Sequence, residues 1–140
     1  MADFRRYKFR AWDSDAKQMD YSGGLSQILF GGASDDIGIG LQLHWSVKNW
    51  HRGWHRERDF SEDFRNGIIV LMQFTGLTDK SGKEIYEGDV VKFWSNDTVS
   101  VIRWEAVRAC FEMDSGHVTK GDMAQSEVIG NRFENQELVK

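Results

Sequence analysis

Between residues 37 and 47 apolar and polar positions alternate. Ile37, Ile39, Leu41, Leu43, Trp45 and Val47 are separated by Gly38, Gly40, Gln42, His44 and Ser46. A period of two places the apolar set on one face of a β-strand. Eleven extended residues span about 36 Å, long for a small domain, so the two glycines are expected to mark a bend or bulge. Weaker patterns flank this strand. Phe4, Tyr7, Phe9, Ala11 and Trp12 sit among basic residues and predict a strand over 4–12, a turn at Asp13–Lys17 and a returning piece at Gln18–Ser22. Asp59 or Ser61 is placed to cap a short helix near 60–66, closed by Gly67.

From residue 68 onward the chain reads as short strands punctuated by turns. The run IIVLMQF (68–74) leads to a turn at 79–83, where Gly82 stands at the left-handed position. Glu87-Gly88-Asp89 makes the next turn before a strand at 90–94, and Asn96-Asp97 joins that strand to 98–105. Residues 106–113 predict a further strand with Val107, Ala109, Phe111 and Met113 on one face. Asp114-Ser115-Gly116 turns the chain, Ser126–Ile129 gives a last strand, and Glu134–Val139 a final helical turn. The fold class is mainly β: a small antiparallel barrel or sandwich in the C-terminal half, an N-terminal β extension, and one or two short helices.

A chain of 140 residues predicts one domain. At that length about two-thirds of the unfolded surface is buried, enough for a core without metal or disulfide staples. The absence of proline beside fourteen glycines points to turns built on positive φ. Net charge is −4, and residues 71–140 carry all of it. The chain as a whole lacks the basic excess of a non-specific nucleic-acid binder, so only a local patch could serve. The single cysteine, Cys110, forms no internal disulfide and fits a reducing cytoplasm. The charged N-terminus predicts no signal peptide, and Ala2 replaces the glycine that myristoylation needs. No apolar run reaches the roughly 20 residues of a spanning helix, so no membrane partner is expected.

Three segments carry a family resemblance: FRAWD at 9–13, GKEIYEGDVV at 82–91 within a longer block over 71–93, and EVIGNRFENQEL at 127–138. Together they resemble the YopX family of phage and prophage proteins. The resemblance implies an SH3-like β-barrel over 68–140, preceded by N-terminal strands (1–22) and a variable insert (23–67), all within one YopX-like domain. It also implies a bacterial host cytoplasm and no particular activity. Gln136 stands where the closing signature usually has proline, so the final turn is expected to be less rigid. Read on their own, Gly82 and Gly88 meet backbone needs, Ile85, Tyr86 and Val90 fill the barrel, and Asp89 closes a turn.

Candidate chemistry concentrates in HWSVKNWHRGWHRER, residues 44–58, with three tryptophans, three histidines and four basic residues against Glu57 alone. On a helix His51 and His55 would share a face, as would Trp50 and Trp54. Zinc at the two histidines would want a third ligand and a nearby glutamate, and the intervening arginine opposes a cation. Arginine with tryptophan could instead hold nucleic acid by phosphate contacts and base stacking. The preferred reading is a protein-contact surface made by Trp45, Trp50, His51, Arg52, Trp54, His55, Arg56 and Arg58, because tryptophan and arginine are enriched at interface hot spots.

Elsewhere the chemistry is thinner. A nucleophilic Cys110 would need a neighbouring base and an electropositive setting that the sequence does not place, so a structural thiol is preferred. The tripeptide at 114–116 matches an aspartic-protease motif, but a half-site would need a dimer to pair carboxylates, so an ordinary hairpin turn is strongly preferred. The sequence therefore predicts no catalytic residues, metal or cofactor. It predicts a non-enzymatic interaction module that self-associates or meets another protein, with nucleic-acid binding through 44–58 as the alternative.

Overall fold

The computed structural model describes residues 8–20, 28–29, 42–43 and 65–139. It divides into two compact units, one from Lys8 to Leu71 and the other from Met72 onward. The described residues are dominated by short antiparallel strands, in keeping with the mainly β class read from the sequence. The long alternating strand expected at 37–47 lies outside them except for Gln42–Leu43. The helix expected near 60–66 lies outside them except for Arg65 and Asn66.

In the first unit β1 (Phe9–Asp13) pairs with β2 (Gln18–Asp20), placing Ala11 opposite Asp20, Trp12 opposite Met19 and Asp13 opposite Gln18. The turn between them forms because the Asp13 carboxylate accepts the Asp15 and Ala16 amides, each at 2.9 Å. Ala11, Trp12, Met19 and Ile69 are buried. A second small pairing joins β3 (Ile28–Leu29) to β4 (Gln42–Leu43).

The longest strand among the described residues, β5 (Ile69–Thr78), begins in the first unit and runs into the second, where it pairs with β6 (Glu84–Tyr86). Next come β7 (Asp89–Phe93), β8 (Val99–Val101), β9 (Arg103–Glu105), β10 (Cys110–Met113) and β11 (Gly116–His117). A one-turn helix, α1 (Lys120–Met123), precedes β12 (Ser126–Asn131) and a closing 3-10 turn at Gln136–Leu138. The strands from β7 onward form two three-stranded sheets, β12-β7-β8 and β11-β10-β9. Ile85, Val91, Ile102, Met113, Met123 and Val128 make the core, with Leu77, Phe93, Phe111 and Val118 packed against it.

The turns are built as their residues predict. Asp79 accepts the Ser81 and Lys83 amides at 2.8 and 3.0 Å, and Gly82 closes the loop at φ 88°. Tyr86 donates its amide to Asp89 at 2.8 Å, and Gly88 between them lies at φ 81°. A Cβ at Gly88 would sit 3.4 Å from the Met72 sulfur and from the Phe133 ring. Those are ordinary contacts, so the cost of Gly88→Ala comes from the left-handed backbone and is expected to be about 2 kcal/mol. Chemical denaturation of the variant checks the value.

Two sequence expectations need correction. The strand expected over 106–113 begins at Cys110, because residues 106–109 form a hairpin loop with Ala109 at φ 50°. The Glu105 carboxylate accepts the Val107 amide at 2.9 Å and closes this loop. Val107, assigned to an apolar face, is 93% exposed. Likewise 98–105 is two strands, not one. The break falls at Ile102, whose amide turns to the Asp89 carbonyl (2.9 Å) and whose carbonyl accepts the Gly88 amide (2.8 Å).

An exposed tryptophan and a cysteine–glutamate–histidine cluster

The segments that carry the family resemblance are scaffold. In the N-terminal segment Trp12 and Asp13 are buried in the first unit. In the central segment Ile85 and Asp89 are buried, and the glycines turn the chain. In the closing segment the side-chain Oδ1 of buried Asn131 accepts the Phe133 and Glu134 backbone amides at 3.0 and 2.9 Å, and its Nδ2 donates to the Glu134 carboxylate at 2.6 Å. Gly130 is needed because a Cβ there would collide with the Asn135 carboxamide and crowd Leu138. The 3-10 turn after Asn135 starts at Gln136, where the closing signature usually has proline. Asp114 is also structural. It accepts from Arg103 Nη2 at 2.7 Å and from Ser100 Oγ at 3.1 Å, which accounts for its tripeptide as a hairpin turn.

The exposed side chains with candidate chemistry are centred outside these buried positions. The residues expected to form an interaction surface, Trp45, Trp50, His51, Arg52, Trp54, His55, Arg56 and Arg58, lie outside the described residues. Two other sites do not.

The first is centred on Trp94, which is 55% exposed at the end of β7. Its indole is held from several sides. Nε1 donates to Glu127 at 3.2 Å, and the Lys80 and Lys92 ammonium groups lie 4.0 and 5.0 Å from the ring centroid. Both lysines are paired with acids, Lys80 with Glu127 at 2.9 Å and Lys92 with Asp97 at 2.8 Å. The hydrogen bond and charge of Lys80, helped by the indole N–H, hold the Glu127 carboxyl below its ordinary range. Cross-strand from Lys92 stands Val99, also exposed. The result is an oriented apolar centre in a rim whose charges cancel locally.

The second lies on the β11-β10-β9 sheet. Register places Glu112 opposite both Arg103 and His117, and Cys110 opposite Glu105. Strand alternation puts Cys110 and Glu112 on one face, while Phe111 and Met113 turn to the core. Cys110 Sγ lies 3.3 Å from His117 Nδ1, which lies 3.5 Å from Glu112 Oε1. Arg108, in the hairpin loop, reaches the same carboxylate oxygen at 2.6 Å, and this contact raises the guanidinium above its ordinary pKa. One donor atom from each of Cys110, Glu112 and His117 falls within 4.8 Å of the others. Cys110 and Glu112 are half-buried and His117 is exposed. The sequence reading placed no base beside Cys110. The signal was present in the turn at Asp114-Ser115, since counting outward from it pairs Glu112 with His117.

Against known proteins, the family model described as YopX protein matches residues 8–140. Among solved structures the chain is similar to the crystal structure of protein EF1440 from Enterococcus faecalis. The two share 26% identity and a TM-score of 0.57, over 96% of this chain and 98% of that one. No curated protein matches the chain.

Proposed function

The chain belongs to the YopX family, and from that premise we propose that it is a non-enzymatic protein-interaction module, an accessory protein of a phage or prophage acting in the bacterial cytoplasm. The observation that supports this is the fixed, exposed indole of Trp94. A tryptophan already oriented by a hydrogen bond and two cations loses little side-chain freedom on binding, and tryptophan is the residue most enriched at interface hot spots. Val99 extends the apolar centre, and the ion pairs around it supply a polar rim.

The same pairing favours a protein partner over nucleic acid at this face. Lys80 and Lys92 would have to leave Glu127 and Asp97 before neutralising a phosphate. The expected partner surface offers an apolar recess for the indole with polar groups around it, on a second copy of this chain or on another protein. Among the described residues no helix is long and apolar enough to cross a membrane.

Trp94→Ala is expected to weaken self-association, or capture of a host or phage protein, by about thirtyfold, the loss of one hot spot. Light scattering and quantitative pull-down from lysogenic cells measure the two cases. A chain that is monomeric at all concentrations, and whose captured partners are the same with and without Trp94, would remove the reading. Binding to DNA or RNA that falls steeply with salt would favour the nucleic-acid alternative instead.

A further inference from the structure

We propose that Cys110, Glu112 and His117 form a binding site for one divalent zinc ion on the outer face of the β11-β10-β9 sheet. This does not rest on the interaction reading above, and it concerns a different face.

The donor set fits the ion. Zinc takes thiolate, imidazole and carboxylate ligands, with bonds of about 2.3 Å to sulfur and 2.0–2.2 Å to nitrogen or oxygen. Tetrahedral placement at those lengths sets sulfur and nitrogen about 3.6 Å apart, and nitrogen and oxygen about 3.4 Å apart. The corresponding separations are 3.3 Å for Cys110 Sγ to His117 Nδ1 and 3.5 Å for His117 Nδ1 to Glu112 Oε1. All three donors lie within 4.8 Å of one another, so side-chain rotation is the movement needed to bring them onto one ion.

The scaffold supports that geometry. Glu112 and His117 are directly paired across a hairpin, and Cys110 lies two residues along the same strand. The ligands therefore sit on paired backbone and not on a loose loop. The nearby cations do not repel an ion outright. Arg103 is engaged by Asp114, and Arg108 is bonded to the Glu112 carboxylate. Arg108 is then the outer partner that fixes a ligating carboxylate. The Cys110 thiolate with the Glu112 and Glu105 carboxylates, the latter cross-strand from Cys110, together offset the ion and Arg108. With three protein ligands and His117 exposed, the fourth position faces solvent.

The ordinary alternative is a thiol–imidazole hydrogen bond beside a surface ion pair. Cobalt separates the two, because a cobalt–thiolate bond gives an intense near-ultraviolet charge-transfer band. The chain has one cysteine, so any such band reports Cys110. The purified full chain, stripped of metal, is titrated with cobalt and then with zinc. The expected result is a charge-transfer band that saturates at one ion per chain and is displaced by zinc. Cys110→Ser is expected to abolish the band, and His117→Gln to keep it while weakening both metals at least tenfold. Arg108→Gln is expected to weaken binding by about tenfold. Circular dichroism of the metal-free variants checks that they fold, and the wild-type band decides the matter even if one does not.

Three outcomes would overturn the proposal. One is a wild-type chain that gives no band. Another is zinc affinity unchanged in both ligand variants, which would place the ion elsewhere, for instance among His44, His51 and His55. The third is half an ion per chain with a doubled mass, which would assign the ligands to two chains.

Discussion

Replacing Asp79 with alanine is expected to destabilise the protein by about 3 kcal/mol, and to lower the melting temperature by about 10 °C. Asp79 is 4% exposed. One carboxylate oxygen accepts the Ser81 amide at 2.8 Å, the Ser81 hydroxyl at 2.7 Å and the Lys83 amide at 3.0 Å. The other accepts the amide of Val128, 49 residues along the chain, at 3.0 Å. Alanine would orphan the Val128 donor in a buried position and release the turn that Gly82 closes. Asparagine restores the shape but carries one acceptor oxygen and sets an N–H group against a donor. It is expected to cost about 2 kcal/mol.

Protonation provides a second reading of the same group. Burial pushes the Asp79 carboxyl up. The hydrogen bonds from the Val128 amide, the Ser81 hydroxyl and the Lys83 and Ser81 amides outweigh it, and the group settles below its ordinary value of 3.8. A depressed folded-state pKa means the ionised form is worth more in the folded chain than in the unfolded one. The stabilisation is therefore present above the ordinary value and fades as pH falls through the lower, folded one. Unfolding free energy measured from pH 7 downward should drop more steeply for the wild type than for Asp79→Asn in that acid window. Parallel curves would show that Asp79 gains nothing from its partners.

Ile102→Ala carries the other large effect, a loss of about 3–4 kcal/mol, with Ile102→Val costing about 1 kcal/mol. Ile102 is fully buried among Ile85, Val91, Met113, Met123 and Val128. Its backbone is fixed by the Asp89 carbonyl and the Gly88 amide, so the chain cannot easily close over the space left behind. Urea unfolding should show a lower midpoint at unchanged slope, the signature of lost packing in a chain that otherwise folds alike. A loss under 1 kcal/mol for alanine would mean that the core repacks freely around this position.

The parts of the fold that could be read from sequence are those where the physics is local. Asp79 with Gly82, Gly88 with Asp89, and Asp114 with Gly116 each specify a turn within a few residues, and each turn forms where expected. Periodicity misled at 106–109. Val107 and Ala109 continue the alternation of Phe111 and Met113 but lie in a loop closed by Glu105, an interaction that hydrophobic pattern does not encode. Helix α1 leaves no periodic signal in the sequence, because four residues cannot show a helical period. Its place is marked by the Thr119 hydroxyl, which accepts the Asp122 amide, and by Met123, which the turn delivers to the core.

The same limit explains the candidate sites. The cluster at Cys110 depends on which residue faces which across a hairpin, a fact of register more than of composition. The setting of Trp94 depends on Lys80 and Glu127, which are distant from it in sequence and reach it only once β12 lies beside β7.

The turn at Asp79 also guards a vulnerable border. β12 has β7 on one side, and on the other its Ser126 carbonyl accepts the Lys80 amide while its Val128 amide is taken by Asp79. Farther along, the Asn131 amide donates to the Asn135 side chain. A strand from a neighbouring molecule would find those hydrogen-bonding positions already occupied. The protein can thus display tryptophan at high concentration without offering that rim as a template for fibrillar growth, and a chain lacking Asp79 should be the one that aggregates.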